Sequence, residues 1–137
     1  MVDGIYIKLQ KDIFSVFSAT AWTTLSIKTY PANTIPVNPG TEYIRVSIIP
    51  SGEGANRISV SGVLLIDIFV AFGNGPKRIS ELADILDIHL RNRYLTTNQK
   101  ASTQFQNSSL RETGKDPDNA ALYRAIYQIP FNYFGVT

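Results

Sequence analysis

The arrangement of hydrophobic and polar residues is clearest between Gly62 and Leu90. Residues 63–72 are almost entirely apolar, which predicts a strand covered on both faces, because a strand with one solvated face alternates apolar and polar side chains. Gly73-Asn74-Gly75-Pro76 ends this strand. A helix is predicted to follow, with Asn74 or Gly75 as its N-cap, Pro76 at its first position, and an apolar stripe formed by Ile79, Leu82, Ala83, Leu86 and Leu90.

The segment before Gly62 is predicted to contain one helix and two strands. The helix covers residues 3–21, with Asp3 as its cap; its apolar face carries Tyr6, Leu9, Ile13, Val16 and Phe17, while Lys8, Lys11 and Asp12 lie off that face. Apolar and polar side chains alternate in residues 25–30 and 43–49, which predicts two strands, the second forming an antiparallel hairpin with the central strand. Residues 31–40 contain three prolines and are expected to form an ordered loop, either on the surface or reaching toward a neighbouring subunit.

The segment after Leu90 is predicted to add two more strands. Residues 91–119 are polar, but a structureless connection of 29 residues is uncommon in a compact domain, so we expect a strand near residues 103–111 and a turn at 116–119. The last strand covers residues 121–133, with Tyr123, Ala125, Tyr127, Ile129, Phe131 and Tyr133 on one face. The prediction is a single α+β domain over residues 1–137, with the order α-β-β-β-α-β-β and two helices packed on one face of a mainly antiparallel sheet.

Composition and charge narrow the possible functions. The chain has 137 residues, 13 basic and 11 acidic, so its net charge is only +2, and a dedicated duplex-binding protein is not expected. Cysteine is absent, which excludes disulfides, a thiol nucleophile and thiolate metal ligands. The first residues do not resemble a signal peptide, and no apolar run approaches the roughly 20 residues that span a bilayer. We therefore expect a soluble protein that is made in the cytoplasm and does not associate with membranes.

No catalytic residue, cofactor site or metal site is predicted, and an enzyme is not expected. Gly73-Asn74-Gly75 resembles part of a GxGxxG phosphate loop, but the sixth position is Arg78 and Pro76 lacks an amide hydrogen, so a capping turn is the better interpretation. Asp67 is the one charged residue of the central strand. It could act as a general acid or base, but we favour a structural role, in which it either faces Arg45 or Lys28 across neighbouring strands or lies at a subunit boundary.

Two further features have a structural interpretation that is simpler than a functional one. His89 is the only histidine and lies near the end of the predicted second helix, where packing at the helix end is the favoured interpretation. The aromatic face of the last strand could stack nucleic-acid bases, but core packing is the simpler expectation.

Two helices can cover only one face of the sheet, so loops or a neighbouring subunit must cover the other.

One combination of segments resembles a known family. A helix at the amino terminus, the strand 43–48 and the strand 62–70, followed by Gly73–Pro76 and a helix containing Ala83-Asp84, is similar to the tail terminator, or tail completion, proteins of long-tailed bacteriophages. The similarity covers about half of the chain and does not include residues 91–119. It implies a structural virion protein without enzymatic activity.

The resemblance also implies partners and a location. Such proteins form a homo-oligomeric ring, generally a hexamer, that caps the head-proximal end of the tail tube and ends tube polymerisation. The expected partners are the tail tube protein and a head-completion or neck protein, and genomic DNA passes through the lumen without specific binding. The location is the head-tail junction of the virion, after assembly in the host cytoplasm. Expected contact residues in loops are Pro36, Glu53, Arg57, Arg111 and Lys115.

Two alternatives to this function stay open at the level of sequence. A related structural protein of the phage neck or tail tube shares the same composition. A small α+β module that binds nucleic acid or a ligand through the aromatic strand face is the other alternative, and it predicts salt-dependent retention on DNA or RNA.

Overall fold

The computed structural model describes residues 5–34, 40–53, 59–73, 75–96, 102–115, 117 and 121–134. Its helices are Ile5–Ser18 (α1), Thr20–Thr23 (α2) and Lys77–Leu90 (α3). Its strands are Thr29–Pro31 (β1), Tyr43–Glu53 (β2), Ser59–Ala71 (β3), Tyr94–Thr96 (β4), Ser102–Phe105 (β5), Ser109–Lys115 (β6) and Leu122–Phe134 (β7). Among these described helices, none combines the length and apolarity needed to cross a bilayer.

All seven strands form one sheet in the order β1-β2-β3-β7-β5-β4, and β6 also pairs with β7. The pair β1–β2 is parallel, and every other pair is antiparallel. β5 and β6 lie one after the other along the same edge of β7, where β5 pairs with residues 131–134 and β6 with residues 123–128, and residues 106–108 separate them. The predicted fold class, an α+β domain with a mainly antiparallel sheet, is confirmed.

The core lies between the helices and one face of the sheet. Because alternate side chains of a strand point to opposite faces, β3 and β7 each contribute every second residue to it. Its buried members include Leu9, Ile13 and Val16 of α1, Leu82, Leu86 and Leu90 of α3, Leu64, Ile66 and Ile68 of β3, and Tyr127, Ile129, Phe131 and Tyr133 of β7. The predicted stripe of α3 and the predicted inner face of the last strand are confirmed, with Tyr123 only half-buried.

The first helix differs from its prediction in two side chains. Tyr6 is 58% exposed and is not part of the core. Asp12, predicted off the apolar face, is buried and accepts a hydrogen bond from the Thr103 hydroxyl at 3.2 Å. Asp12 lies three residues after Leu9, so helical periodicity places it on the inner stripe, and a hydroxyl from β5 makes its burial tolerable. The proposed cap Asp3 lies outside the described residues.

The predicted strand over residues 25–30 is mostly wrong. α1 ends at Ser18, a single helical turn follows as α2, and Leu25 and Ser26 continue as a turn whose amides donate to the carbonyls of Trp22 and Thr23. Ser26 has φ 57°, a left-handed conformation that interrupts an extended strand. Only Thr29–Pro31 forms a strand, and it lies at the sheet edge, where a proline is tolerated.

The predicted hairpin of the second and central strands is confirmed, with Ile44 opposite Ile68 and Val46 opposite Ile66. β2 is longer than predicted and continues past a bulge near Pro50 to Glu53. The N-cap of α3 is Pro76, one residue later than expected, because Gly73 and Gly75 adopt φ values of 94° and 78° before the helix begins. Asn74 lies outside the described residues.

The polar segment after α3 contains more regular structure than predicted. The expected strand at residues 103–111 is found as β5 and β6, and β4 forms a short hairpin with β5 that was not predicted. The expected turn at 116–119 lies outside the described residues except for Pro117. The central part of the proline-containing segment, residues 35–39, also lies outside them.

Candidate functional site on the open face of the sheet

The face of the sheet opposite the helices is called the open face here. Odd-numbered residues of β3, from Ser61 to Ala71, point to it, together with even-numbered residues of β7 and odd-numbered residues of the first part of β2. At the strand positions that the structure describes, its charged residues are Arg45, Asp67, Arg111 and Arg124. At these described positions the open face therefore carries three cations and one anion.

Asp67 holds two arginines in a fixed arrangement. Arg45, its register partner on β2, donates from Nη2 at 3.1 Å and from Nε at 3.3 Å to Oδ2. Arg124, on β7, donates from Nη2 at 2.6 Å and from Nε at 3.1 Å to Oδ1. The Asp67 side chain is only 4% exposed, whereas those of Arg45 and Arg124 are 36% and 27% exposed. One buried carboxylate thus positions two guanidinium groups that reach solvent.

Aromatic rings support this cluster of Arg45, Asp67 and Arg124. The guanidinium carbons of both arginines lie over the ring of Phe69, at 5.4 Å for Arg45 and 5.9 Å for Arg124. Tyr43 stacks on Phe69 with ring centroids 4.5 Å apart, and Tyr30 meets Tyr43 edge to face at 5.8 Å. The rings restrict the planes of the guanidinium groups, so their orientation is set before any partner arrives.

The favoured interpretation of Asp67 as an ion-pair partner of Arg45 is confirmed. Arg124 is a second partner of Asp67, which the sequence analysis did not name. Each carboxylate oxygen accepts two N–H donors, so neither oxygen is left for a substrate proton. The geometry fits recognition of an anion by the arginines better than acid–base chemistry by Asp67.

Partly exposed apolar side chains lie on the same face beside the arginines, mostly toward the start of β3. We call Ile49, Val63, Leu65, Ile126 and Pro130 the apolar strip. Ile49 is 46% exposed, and the other members are intermediate in burial. Val63 pairs with both Ile49 and Pro130, and Leu65 lies between Ser47 and Gln128, so the strip is interrupted by polar groups at its margins. The predicted coverage of the central strand on both faces is therefore found near Asp67 and Phe69, whereas Val63 and Leu65 are only partly covered.

Of the five contact residues expected in loops, Glu53 lies in β2 and Arg111 and Lys115 lie in β6, so the loop placement of these three is wrong. β2 continues past its bulge, and the polar segment pairs with β7. Arg111 is exposed on β6 and is the register partner of Ile126, which itself pairs with Asp67, so Arg111 belongs to the open face. The Nζ of Lys115 lies 5.2 Å from the centre of the Phe72 ring, beside a groove of about 400 Å³ lined by Phe72, Pro76, Glu112 and Tyr123. Glu53 ends β2 opposite Val60. Pro36 and Arg57 lie outside the described residues.

The aromatic face of the last strand is not available for base stacking. Tyr127, Phe131 and Tyr133 are buried in the core under the helices. The Tyr127 hydroxyl donates to Asp87 Oδ1 at 2.6 Å, and Ser108 donates to the same oxygen at 2.5 Å. Burial first, and the Asp87 carboxylate second, raise the pKa of Tyr127 well above its ordinary value. The expectation that the aromatic face of the last strand packs in the core is confirmed.

His89 packs at the end of α3. Its ring lies edge to face against Trp22 at 5.1 Å, and Nδ1 lies 2.9 Å from the Ile85 carbonyl oxygen, to which it donates as the Nδ1–H tautomer. Trp22 in turn donates to the Thr29 hydroxyl at 2.9 Å. The packing interpretation is confirmed. Across the described part of the chain, no three potential metal ligands of the His, Cys, Asp or Glu type come together.

Comparison with known proteins informs the fold and not the function. No protein-family model matches the chain. No curated protein sequence matches it either. Among solved structures, one protein whose name describes no function is similar to this chain with a TM-score of 0.68 and 14% identity, over 97% of this chain and 95% of that one. At this identity the similarity shows a shared fold alone.

Proposed function

We propose that this protein is a tail terminator of a long-tailed bacteriophage. In this role, a ring of subunits, generally six, caps the head-proximal end of the tail tube, ends tube polymerisation, and presents a surface to a head-completion or neck protein. DNA passes through the lumen without specific binding, which suits a net charge of only +2. The location is the head-tail junction of the virion.

The proposal is supported by the resemblance of residues 43–48, 62–70 and 73–84 to this family and by the character of the open face. Arginine and aromatic side chains, beside half-exposed apolar ones, are the composition of protein interfaces. A protein whose task is to contact other virion proteins needs such a surface. The open face is the single structural observation on which the proposal depends.

The test is the mass in solution at several protein concentrations, by light scattering on a sizing column, with negative-stain images of the same fractions. Tail tubes of the same phage are then added. We expect closed rings, or ring formation on one end of each tube, and tubes that stop growing. Self-polymerisation into tubes would identify a tube protein instead, and a monomer that leaves added tubes unchanged would contradict the proposal.

The expected contact residues are tested in the same assay. Arg111 and Lys115 are replaced by glutamine, alone and together with Arg57, and we expect weaker ring assembly or tube capping. In the control, Lys8 and Lys77 are replaced by glutamine, which removes as many positive charges as the double variant does but takes them from the helices. Unchanged assembly in the triple variant would remove these residues from the interface.

A further inference from the structure

The charge of the open face is unbalanced at its described strand positions. Arg45 and Arg124 share the single carboxylate of Asp67, and Arg111 lies in the same cross-strand row, beyond Ile126. The excess is two positive charges within one patch. Partly desolvated arginines over an aromatic ring interact more strongly with an anion than exposed lysines do.

The two arginines of the cluster still have donors to offer. Each uses Nε and Nη2 to bind Asp67, and within the described part of the chain Nη1 of neither donates a hydrogen bond. Since Asp67 and Phe69 hold both guanidinium groups, an incoming carboxylate does not have to order them. Such pre-organisation raises affinity because binding then costs less side-chain entropy.

The apolar strip begins directly beside the cluster. Asp67 and Val63 are four residues apart on β3, so their separation along the strand is about 13 Å. An extended segment of about five residues covers that distance. Nucleic acid offers no apolar side chains for Val63 and Leu65, whereas a peptide does, so the surface fits a protein segment better than a phosphate backbone.

We propose that the open face binds an extended acidic segment of another protein. A glutamate or aspartate of that segment accepts hydrogen bonds from Nη1 of Arg45 or Arg124, and apolar side chains about four residues away lie on the apolar strip. Arg111 adds charge at the margin. This inference does not require the proposed function, although a tube or neck protein is the natural source of the segment if that function is correct.

The experiment uses a fluorescein-labelled peptide of eight residues with two glutamates at one end and leucine and valine at alternating positions toward the other. Binding to the full chain is measured by fluorescence anisotropy, and the binding site is mapped by amide chemical shifts. A second peptide has glutamine in place of both glutamates. We expect the glutamate peptide to bind at least tenfold more tightly, with shifts in β3 and β7 and weaker binding at high salt.

Variants locate the site. In R45Q/D67N/R124Q the whole cluster is neutral, so no buried charge is left unpaired, and the net charge falls by one. Lys77→Gln lowers the net charge by the same amount at the start of α3 and is the matched control. We expect the triple variant to lose at least tenfold in affinity and Lys77→Gln to bind as the unaltered protein does. Leu65→Thr should weaken binding severalfold, whereas Leu110→Thr, an exposed leucine on β6, should not.

Several outcomes would overturn the inference. These are equal binding of the two peptides, binding unchanged in the triple variant, or no binding at millimolar protein. Tighter binding of a labelled single-stranded or duplex DNA, lost in the triple variant, would assign the patch to nucleic acid. Self-association that disappears in the triple variant would identify a second copy of this chain as the occupant. The comparison of the two peptides needs no variant, so a misfolded triple variant does not leave the question undecided.

Discussion

Arg124 and Asp67 lie 57 positions apart in the chain, yet Nη2 of the arginine is 2.6 Å from Oδ1 of the carboxylate. They sit on the neighbouring strands β7 and β3, on the face away from the helices, where Arg45 completes the cluster from β2. Three strands of the sheet are therefore joined by one buried carboxylate.

Replacing Asp67 by alanine should lower the free energy of unfolding by about 2–3 kcal/mol. Removing one partner of a buried ion pair typically costs more, but both arginines are partly exposed and can turn to water. Urea unfolding measures the change, and Asp84→Ala, at an exposed position of α3, is the control. A loss no larger than that of the control would show that the cluster does not stabilise the sheet.

Replacing Tyr127 by phenylalanine should cost about 1–2 kcal/mol, because the hydroxyl is buried and donates to Asp87. Ser108 still donates to that carboxylate, which limits the loss. The control is Tyr94→Phe, at an exposed position of β4, and it should leave the unfolding midpoint unchanged. An equal effect of the two substitutions would mean that the hydrogen bond to Asp87 contributes nothing.

The same tyrosine predicts an alkaline limit of stability. Burial and Asp87 raise the pKa of Tyr127 in the folded protein, so its contribution is complete below about pH 10, where the unfolded hydroxyl ionises, and is lost as the pH rises further. Unfolding followed between pH 8 and 11 should show a shallower decline for Tyr127→Phe. Burial also raises the pKa of Tyr133, so part of the decline in stability should remain in the Tyr127→Phe variant. Parallel curves for the variant and the unaltered protein would contradict this assignment.

At the acid end, the pair of Glu42 and Arg78 predicts a small effect. Hydrogen bonding from Arg78, at 2.6 Å and 2.9 Å, lowers the pKa of Glu42. Its stabilisation is therefore complete above the ordinary glutamate pKa and is lost as the pH falls through the lower folded value. The Glu42 side chain is 37% exposed, so the contribution is at most about 0.5 kcal/mol. The difference in unfolding free energy between the unaltered protein and Glu42→Gln should disappear between pH 6 and pH 3.

Gly62 should not tolerate a side chain. A Cβ there would overlap the Ile49 carbonyl oxygen and lie 2.9 Å from Pro50 Cα and 3.0 Å from the Phe131 ring, and the first two are backbone atoms that cannot turn aside. We expect Gly62→Ala to lose about 2–3 kcal/mol by overpacking. Gly73→Ala is the comparison, because a Cβ at this position meets no atom within 4 Å. Its φ of 94° is strained for alanine, so we expect this substitution to cost only about 1 kcal/mol. Thermal unfolding that ranks them in the opposite order would contradict the packing argument.

Local pattern by itself determined most of the elements. The apolar run of residues 63–72, the alternation in residues 43–49 and 121–133, and the stripe of α3 predicted β2, β3, α3, β7 and the α+β class, because the period of the side chains reports local geometry directly. Where one residue changed the geometry, local pattern was misleading. Ser26, with its positive φ, ended what alternation predicted as a strand.

Local sequence pattern predicts only part of the candidate site. Alternation places Arg124 on the face of its strand opposite Tyr127, and Asp67 stands out as the one charge of its strand. Alternation does not show that β7 pairs with β3 in the register that brings Arg124 and Asp67 together. Strand pairing and register depend on contacts between residues far apart in the chain, and no local period encodes them.

The tertiary structure alone decided which polar residues meet and which faces are covered. Thr103 reaches Asp12 across 91 positions, and it makes a charged residue on the inner stripe of α1 acceptable. The helices cover the aromatic side of β7 and leave the side of Arg45 and Arg124 open. The sequence determined the elements because propensity and periodicity act within a few residues. Which elements pair with each other depends on the tertiary structure, because burial and hydrogen bonding between distant segments are established only when those segments pack together.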